Sequence, residues 1–210
     1  MSTKCTDCCE VKNVDFNDKK NSRLKKVFWF VLSINFIMFL VEFWQGYVSH
    51  SNALLSDSLD MLGDAVVYGI SLYVIAMSAK VKANISLWKG FVMGALGLWV
   101  AVEAIGKIFY PVVPIGETIT LIGLLALVAN AVCFWALIRY RNNDLNVKSA
   151  WICSRNDIVA NLGVIMAGLL VIRLNSVWPD IAVGLAISFM VIYSSAQIIK
   201  ESLSFNFRHN

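Results

Sequence analysis

Two pairs of side chains stand four residues apart inside apolar sequence: Asp60 with Asp64, and Cys153 with Asp157. On a helix, positions i and i+4 are vertical neighbours, about 5–6 Å apart at Cβ. Each pair therefore presents two ligand groups on one face. Asp57 falls on the first stripe, and Asn161 carries the second one turn further. Ionised carboxylates stacked in this way repel one another, and removal from water worsens the repulsion. They need a cation or shared protons between them. A divalent metal supplies the first, and a proton-coupled cycle supplies the second. If the two helices run antiparallel, Asp60 approaches Asp157 and Asp64 approaches Cys153. Four ligands from two such pairs can close a tetrahedral cage, the geometry zinc prefers.

Single residues have blander readings. Taken alone, Asp57 and Asp180 read as hydrogen-bond acceptors facing a serine or a backbone group, and Cys153 reads as a small buried apolar filler. Glu42 and Glu103 read as lying near the membrane interfaces, in water. The run Cys5-Thr6-Asp7-Cys8-Cys9 could capture a soft metal as thiolates. It lacks a second cysteine pair, so a stable structural zinc site is not expected there. The two matching pairs are harder to explain without an ion, because a charge within a bilayer costs about 2.5–3.5 kcal/mol on insertion scales.

The elements that must hold these pairs follow from composition. Of 210 residues, 58% are hydrophobic and 15% charged, against about 25% charged in a soluble domain. The apolar residues fall in runs long enough to cross a hydrocarbon core of roughly 30 Å, and in lipid only helices or closed barrels satisfy every backbone group. The runs are too long and uniform for barrel strands. They predict an all-α integral membrane protein, a bundle of six transmembrane helices over residues 27–48, 53–79, 88–109, 117–138, 150–172 and 178–200. Residues 1–26 read as a flexible cytoplasmic tail, 27–200 as the membrane domain and 201–210 as a stub. Lysine and arginine crowd the tail, the second and fourth gaps and the C-terminus, which predicts that both termini are cytoplasmic.

The same asymmetry accounts for the net charge of +4 and gives no reason to expect nucleic acid. No cleavable signal is read ahead of the first span. With the lysine bias, that fits a bacterial inner membrane. Three of the five cysteines fall in the tail on the reducing side and two fall in spans, so a disulfide framework is not expected. Both histidines, His50 and His209, lie outside the spans, and no Ser/His or Cys/His arrangement for covalent catalysis is apparent. An enzyme is not expected, nor a resident cofactor. Two rivals remain open: a proton-coupled transporter of a non-metal substrate, and a non-transporting membrane protein that binds metal through its tail.

The segment from Asn52 to Asp64, Asn-Ala-Leu-Leu-Ser-Asp-Ser-Leu-Asp-Met-Leu-Gly-Asp, resembles the second-helix signature of the cation diffusion facilitator family. Cys153–Asp157 sits where that family usually carries His-x-x-x-Asp, and Asn130 and Pro179-Asp180 resemble further recurrent positions. The resemblance covers all six spans. It implies a six-helix bundle, usually homodimeric, that exports Zn²⁺ or a similar ion from the cytosol in exchange for protons. By position it makes Asp60, Asp64, Cys153 and Asp157 the transport-site ligands and leaves Asp57 beside them; Asn161, from its place on the stripe, and Asp180 are expected around the site or on the way to it. Cysteine in place of histidine implies tolerance of Cd²⁺, while three carboxylates pull toward harder ions such as Co²⁺. The family's cytosolic C-terminal domain has no counterpart in the ten residues after the last span. On this reading dimerisation would run through the transmembrane helices.

Overall fold

The computed structural model describes residues 19–73, 79–138 and 145–208. These form six helices: α1 (Lys19–Val48), α2 (Asn52–Tyr73), α3 (Ala79–Phe109), α4 (Gly116–Ile138), α5 (Leu145–Leu174) and α6 (Trp178–Arg208). No strand occurs among the described residues. Five of the helices (α1, α3, α4, α5 and α6) are long and apolar enough to cross a membrane. The exception is α2, which carries Asp57, Asp60 and Asp64 within 22 residues. Its length of about 33 Å still matches a bilayer core.

The helices outrun the hydropathy-derived spans by five or more residues at four ends. Helix α1 begins at Lys19, α3 at Ala79 and α5 at Leu145, and α6 continues to Arg208. Residue 79, expected to close the second span, opens α3 instead, and the lysines expected in the second gap are helical. Hydropathy marks where lipid ends. A helix ends where a breaker stands, and no glycine or proline interrupts 79–89.

Helix α2 is the hub and touches all five other helices. The most extensive pairings are α4 with α5, α3 with α6, and α1 with α2. Ala53, Leu54, Leu55 and Leu59 of α2 pack in the main core with Val100 of α3, Ile119 of α4, Val164 of α5 and Val191 of α6. Two close approaches set the bundle. A Cβ on Gly168 would fall 2.8 Å from the Thr120 nitrogen, so α4 and α5 meet backbone to backbone. A Cβ on Gly184 would fall 2.8 Å from the Asn52 carbonyl carbon, so α6 closes directly on the start of α2. Small residues allow such approach between membrane helices, where packing rather than hydrophobicity drives association.

Three short connections share one end of the bundle. The α1–α2 turn is a Schellman cap: Ser51 N–H donates to Gly46 O (2.8 Å) and His50 N–H to Tyr47 O (3.3 Å). His50 takes the left-handed conformation there, with φ 53°. The connection before α4 joins this turn through Ile115 N–H to Ser49 O, 3.2 Å. Lys107 Nζ donates to His50 O (2.8 Å) and to Asn52 Oδ1 (2.7 Å). Since α1 runs toward this end and α6 away from it, the first and last described residues lie at the opposite end. The outward faces carry large apolar side chains such as Ile37, Leu98, Leu121, Val159 and Phe189. Tyr47, Tyr110 and Trp178 are exposed beside the shared loops, where an aromatic belt belongs. A soluble monomer rarely exposes apolar surface on this scale.

Candidate metal centre

The first third of α2 is enclosed on every side, and residues 51–59 are all buried. The acidic stripe leaves this packed collar and reaches the middle of the bundle. There the carboxyls of Asp60 on α2 and Asp157 on α5 come within hydrogen-bonding reach of each other. Asp157 is buried and Asp60 partly so. The charge field around them is crowded: Asp57, Asp60 and Asp64 all act electrostatically on Asp157. Among the described residues, Lys89 of α3 is a cation whose charge reaches Asp60.

Asp64 lies one turn beyond Asp60 and accepts a hydrogen bond from Tyr68 Oη at 3.2 Å. The antiparallel register that sets Asp60 beside Asp157 brings Asp64 level with residue 153 of α5. The side chain of Cys153 is outside the described residues, as are Cys5, Cys8 and Cys9. Among the described residues no three His, Cys, Asp or Glu side chains are gathered closely enough to hold an ion. The described part of the site is therefore a carboxylate pair with further acids around it.

Asp57 is buried, and its Oδ2 has no hydrogen-bond partner among the described residues. Asn161 is fully buried; its Nδ2 donates to the Asp157 backbone oxygen at 2.8 Å, tying the side chain to its own helix, and its Oδ1 is unpartnered. Asp180 lies elsewhere, at the loop end. It accepts from Ser51 Oγ (2.6 Å), Asn52 N–H (2.8 Å) and Ala53 N–H (3.1 Å), and so caps α2 from α6. Lys107 stands close enough to act on its charge. This is the arrangement expected of an acceptor facing a serine and backbone groups.

Glu42 departs from its sequence reading. It is fully buried in α1, with neither carboxyl oxygen partnered among the described residues, and it is within electrostatic reach of Asp57 and Asp60. The reason is the covered turn beyond it. Helix α1 ends only six residues later, but that end is roofed by the turn and by the start of α2, so nearness to the span's end does not bring water. An acid alone in an apolar span was the available signal. Glu103 stays partly exposed and pairs with Lys107 at 3.7 Å. Asn130 and Cys133 of α4 are also buried, and both amide atoms of Asn130 are unpartnered among the described residues.

The arrangement offers hard oxygen ligands from two facing helices, enclosed by protein and surrounded by further acids. It suits binding of a dication inside a membrane bundle. Known proteins resemble the chain over most of its length. The family described as the cation efflux transmembrane domain matches residues 28–205. A cadmium, cobalt and zinc/H(+)-K(+) antiporter of Bacillus subtilis is 27% identical over 192 residues, covering 82% of this chain and 61% of that protein. The zinc transporter ZitB of Yersinia pestis is 24% identical over 205 residues, covering 91% of this chain and 64% of that protein. The metal cation efflux system protein CzcD of Cupriavidus metallidurans is 25% identical over 197 residues, covering 88% and 61%. The chain thus spans somewhat under two thirds of the length of these relatives.

Proposed function

We propose, from the premise that this chain belongs to the cation efflux transmembrane family, that it carries a divalent transition-metal ion out of the cytosol in exchange for protons. Membership and the five apolar spans make it an integral membrane protein. Relatives named for transport of cadmium, cobalt and zinc support ions of that group as cargo. The observation that carries the reading is the meeting of Asp60 and Asp157 between two helices inside the bundle. Two carboxyls brought together inside the bundle from separate elements have little structural rationale without a shared cation or proton.

In this reading Asp60, Asp64, Cys153 and Asp157 hold the ion. Both termini are cytoplasmic, which agrees with the first and last described residues sharing the end opposite the loops and with the lysine-rich tail. The membrane is a bacterial plasma membrane, and two copies pair through their transmembrane helices. The ion arrives from the cytosol and displaces protons, since carboxylate and thiolate ligands must be deprotonated to bind. Packing of α2 against α5 then changes, and the site faces outward. Reprotonation weakens the ligands and the ion leaves. The membrane potential assists inward proton movement by about 2.3 kcal/mol per charge per 100 mV.

The test is uptake into proteoliposomes of the purified chain, screened across Zn²⁺, Cd²⁺, Co²⁺, Mn²⁺ and Fe²⁺ with an imposed pH gradient. The expected result is saturable uptake of at least one of these ions that stops when the gradient is collapsed. Absence of uptake for all five in intact, folded protein contradicts the proposal.

A further inference from the structure

We infer that Asn130 completes the cation site from α4, its amide oxygen serving as a neutral third donor to the ion held by Asp60 and Asp157. The inference rests on the reading of that pair as the ion's site.

Register supplies the first argument. Helices α4 and α5 are antiparallel and tightly packed, and a Cβ on Gly123 would touch Val164 Cγ1 at 3.2 Å and Ile165 Cγ1 at 3.1 Å. Seven residues onward from Gly123 is Asn130, and seven residues back from Val164 is Asp157. Seven residues are nearly two full turns, so both residues keep the faces that Gly123 and Val164 present to each other. Asn130 is therefore carried to the level of Asp157 on the facing side. Cys133, one turn further on the same buried stripe of α4, supports this placement independently. Its thiol lies within electrostatic reach of both Asp64 and Asp157.

The second argument is an unpartnered amide. Asn130 is 1% exposed, and neither its Oδ1 nor its Nδ2 has a hydrogen-bond partner among the described residues. Burying such a group without partners costs about 1–3 kcal/mol, so the apo fold gains nothing from it. Asn161, the other amide near the pair, has its Nδ2 committed to its own helix. Asn35 on α1 likewise donates to Val31 O at 2.9 Å and to Cys133 Sγ at 3.8 Å. Asn130 alone of the three has both amide atoms uncommitted.

Chemistry supplies the third. Amide oxygen is a hard, neutral donor. It adds coordination without adding another negative charge to a cluster that already holds Glu42, Asp57, Asp60, Asp64 and Asp157. It also favours harder ions over Cd²⁺, opposing the pull of a thiolate at Cys153.

The test compares wild type with Asn130→Leu, Asn130→Asp and Asp157→Asn in detergent, reading Zn²⁺ affinity by calorimetry and the metal-free melting temperature. In Asn130→Leu the metal-free protein should melt at or above the wild-type temperature, while Zn²⁺ affinity falls about 10–100-fold, the range for partners that support a metal centre. Asn130→Asp restores an oxygen donor and should keep wild-type affinity or better. Wild-type affinity in Asn130→Leu, or a lowered metal-free melting temperature, overturns the inference. If Asp157→Asn loses Zn²⁺ in the same series, the carboxylate pair survives that failure. Wild-type affinity in Asp157→Asn overturns the pair and the inference with it.

Discussion

Removing the Asp180 carboxylate separates a structural pin from a permeation residue. The Asp180→Ala change deletes the acceptor of three hydrogen bonds at 2.6, 2.8 and 3.1 Å. Two of the donors are backbone N–H groups in the first turn of α2, which have no carbonyl of their own helix to bond. The third is the Ser51 hydroxyl, which also accepts from Leu54 N–H at 3.2 Å, so the cap unravels as a unit. Hydrogen bonds to a charged partner contribute about 1.5–3 kcal/mol each, and a buried N–H left unmet costs about 1–3 kcal/mol. These quantities overlap and do not add. Breaking a buried charged network by deleting one partner costs about 3–5 kcal/mol, and that is the expected loss of folding stability. The assay is reversible unfolding in mixed micelles at constant detergent-to-protein ratio, followed by helical circular dichroism. Transport per folded molecule should stay close to wild type, because Asp180 lies at the loop end and not at the carboxylate pair. Unchanged stability with abolished transport would refute this reasoning and place Asp180 on the ion's path.

Two further substitutions probe the acids and the thiol. Glu42→Gln keeps shape but removes an ionisable group within electrostatic reach of Asp57 and Asp60. It should leave metal-free stability within about 1 kcal/mol of wild type, since one unpartnered buried polar group replaces another, and should weaken Zn²⁺ binding; unaltered affinity in a calorimetric titration would separate Glu42 from the site. Cys153→Ser should lower uptake of Cd²⁺ relative to Co²⁺ in proteoliposomes, because a soft donor becomes a hard one, and an unchanged ratio would make Cys153 a spacer.

The sequence yields most of the architecture because its strongest signals are local. Six apolar runs become six helices in the expected order. The four-residue spacing of Asp60 with Asp64 sets one acidic stripe toward α5, where Asp60 meets Asp157. What escapes local reading depends on distant contacts. The role of Asp180 needs Asn52, 128 positions away, and no periodicity links them. Depth along a span does not give the burial of Glu42, because the α1–α2 turn above it is covered by Ile115 and Lys107. Asn130 has no partner at helical spacing, so only the α4–α5 register gives it a place. Helices run past the apolar spans because the polar flanks contain good helix formers and no breaker.

On the proposed function, one dication sits between α2 and α5 on Asp60 and Asp157. The most direct test is the stoichiometry of Zn²⁺ bound to folded protein, wild type against the Asp60→Asn, Asp157→Asn double variant, by equilibrium dialysis with metal analysis. Wild type should retain one Zn²⁺ per chain that the double variant lacks. Equal Zn²⁺ content in both proteins, with both folded, would mean that Asp60 and Asp157 do not hold the ion.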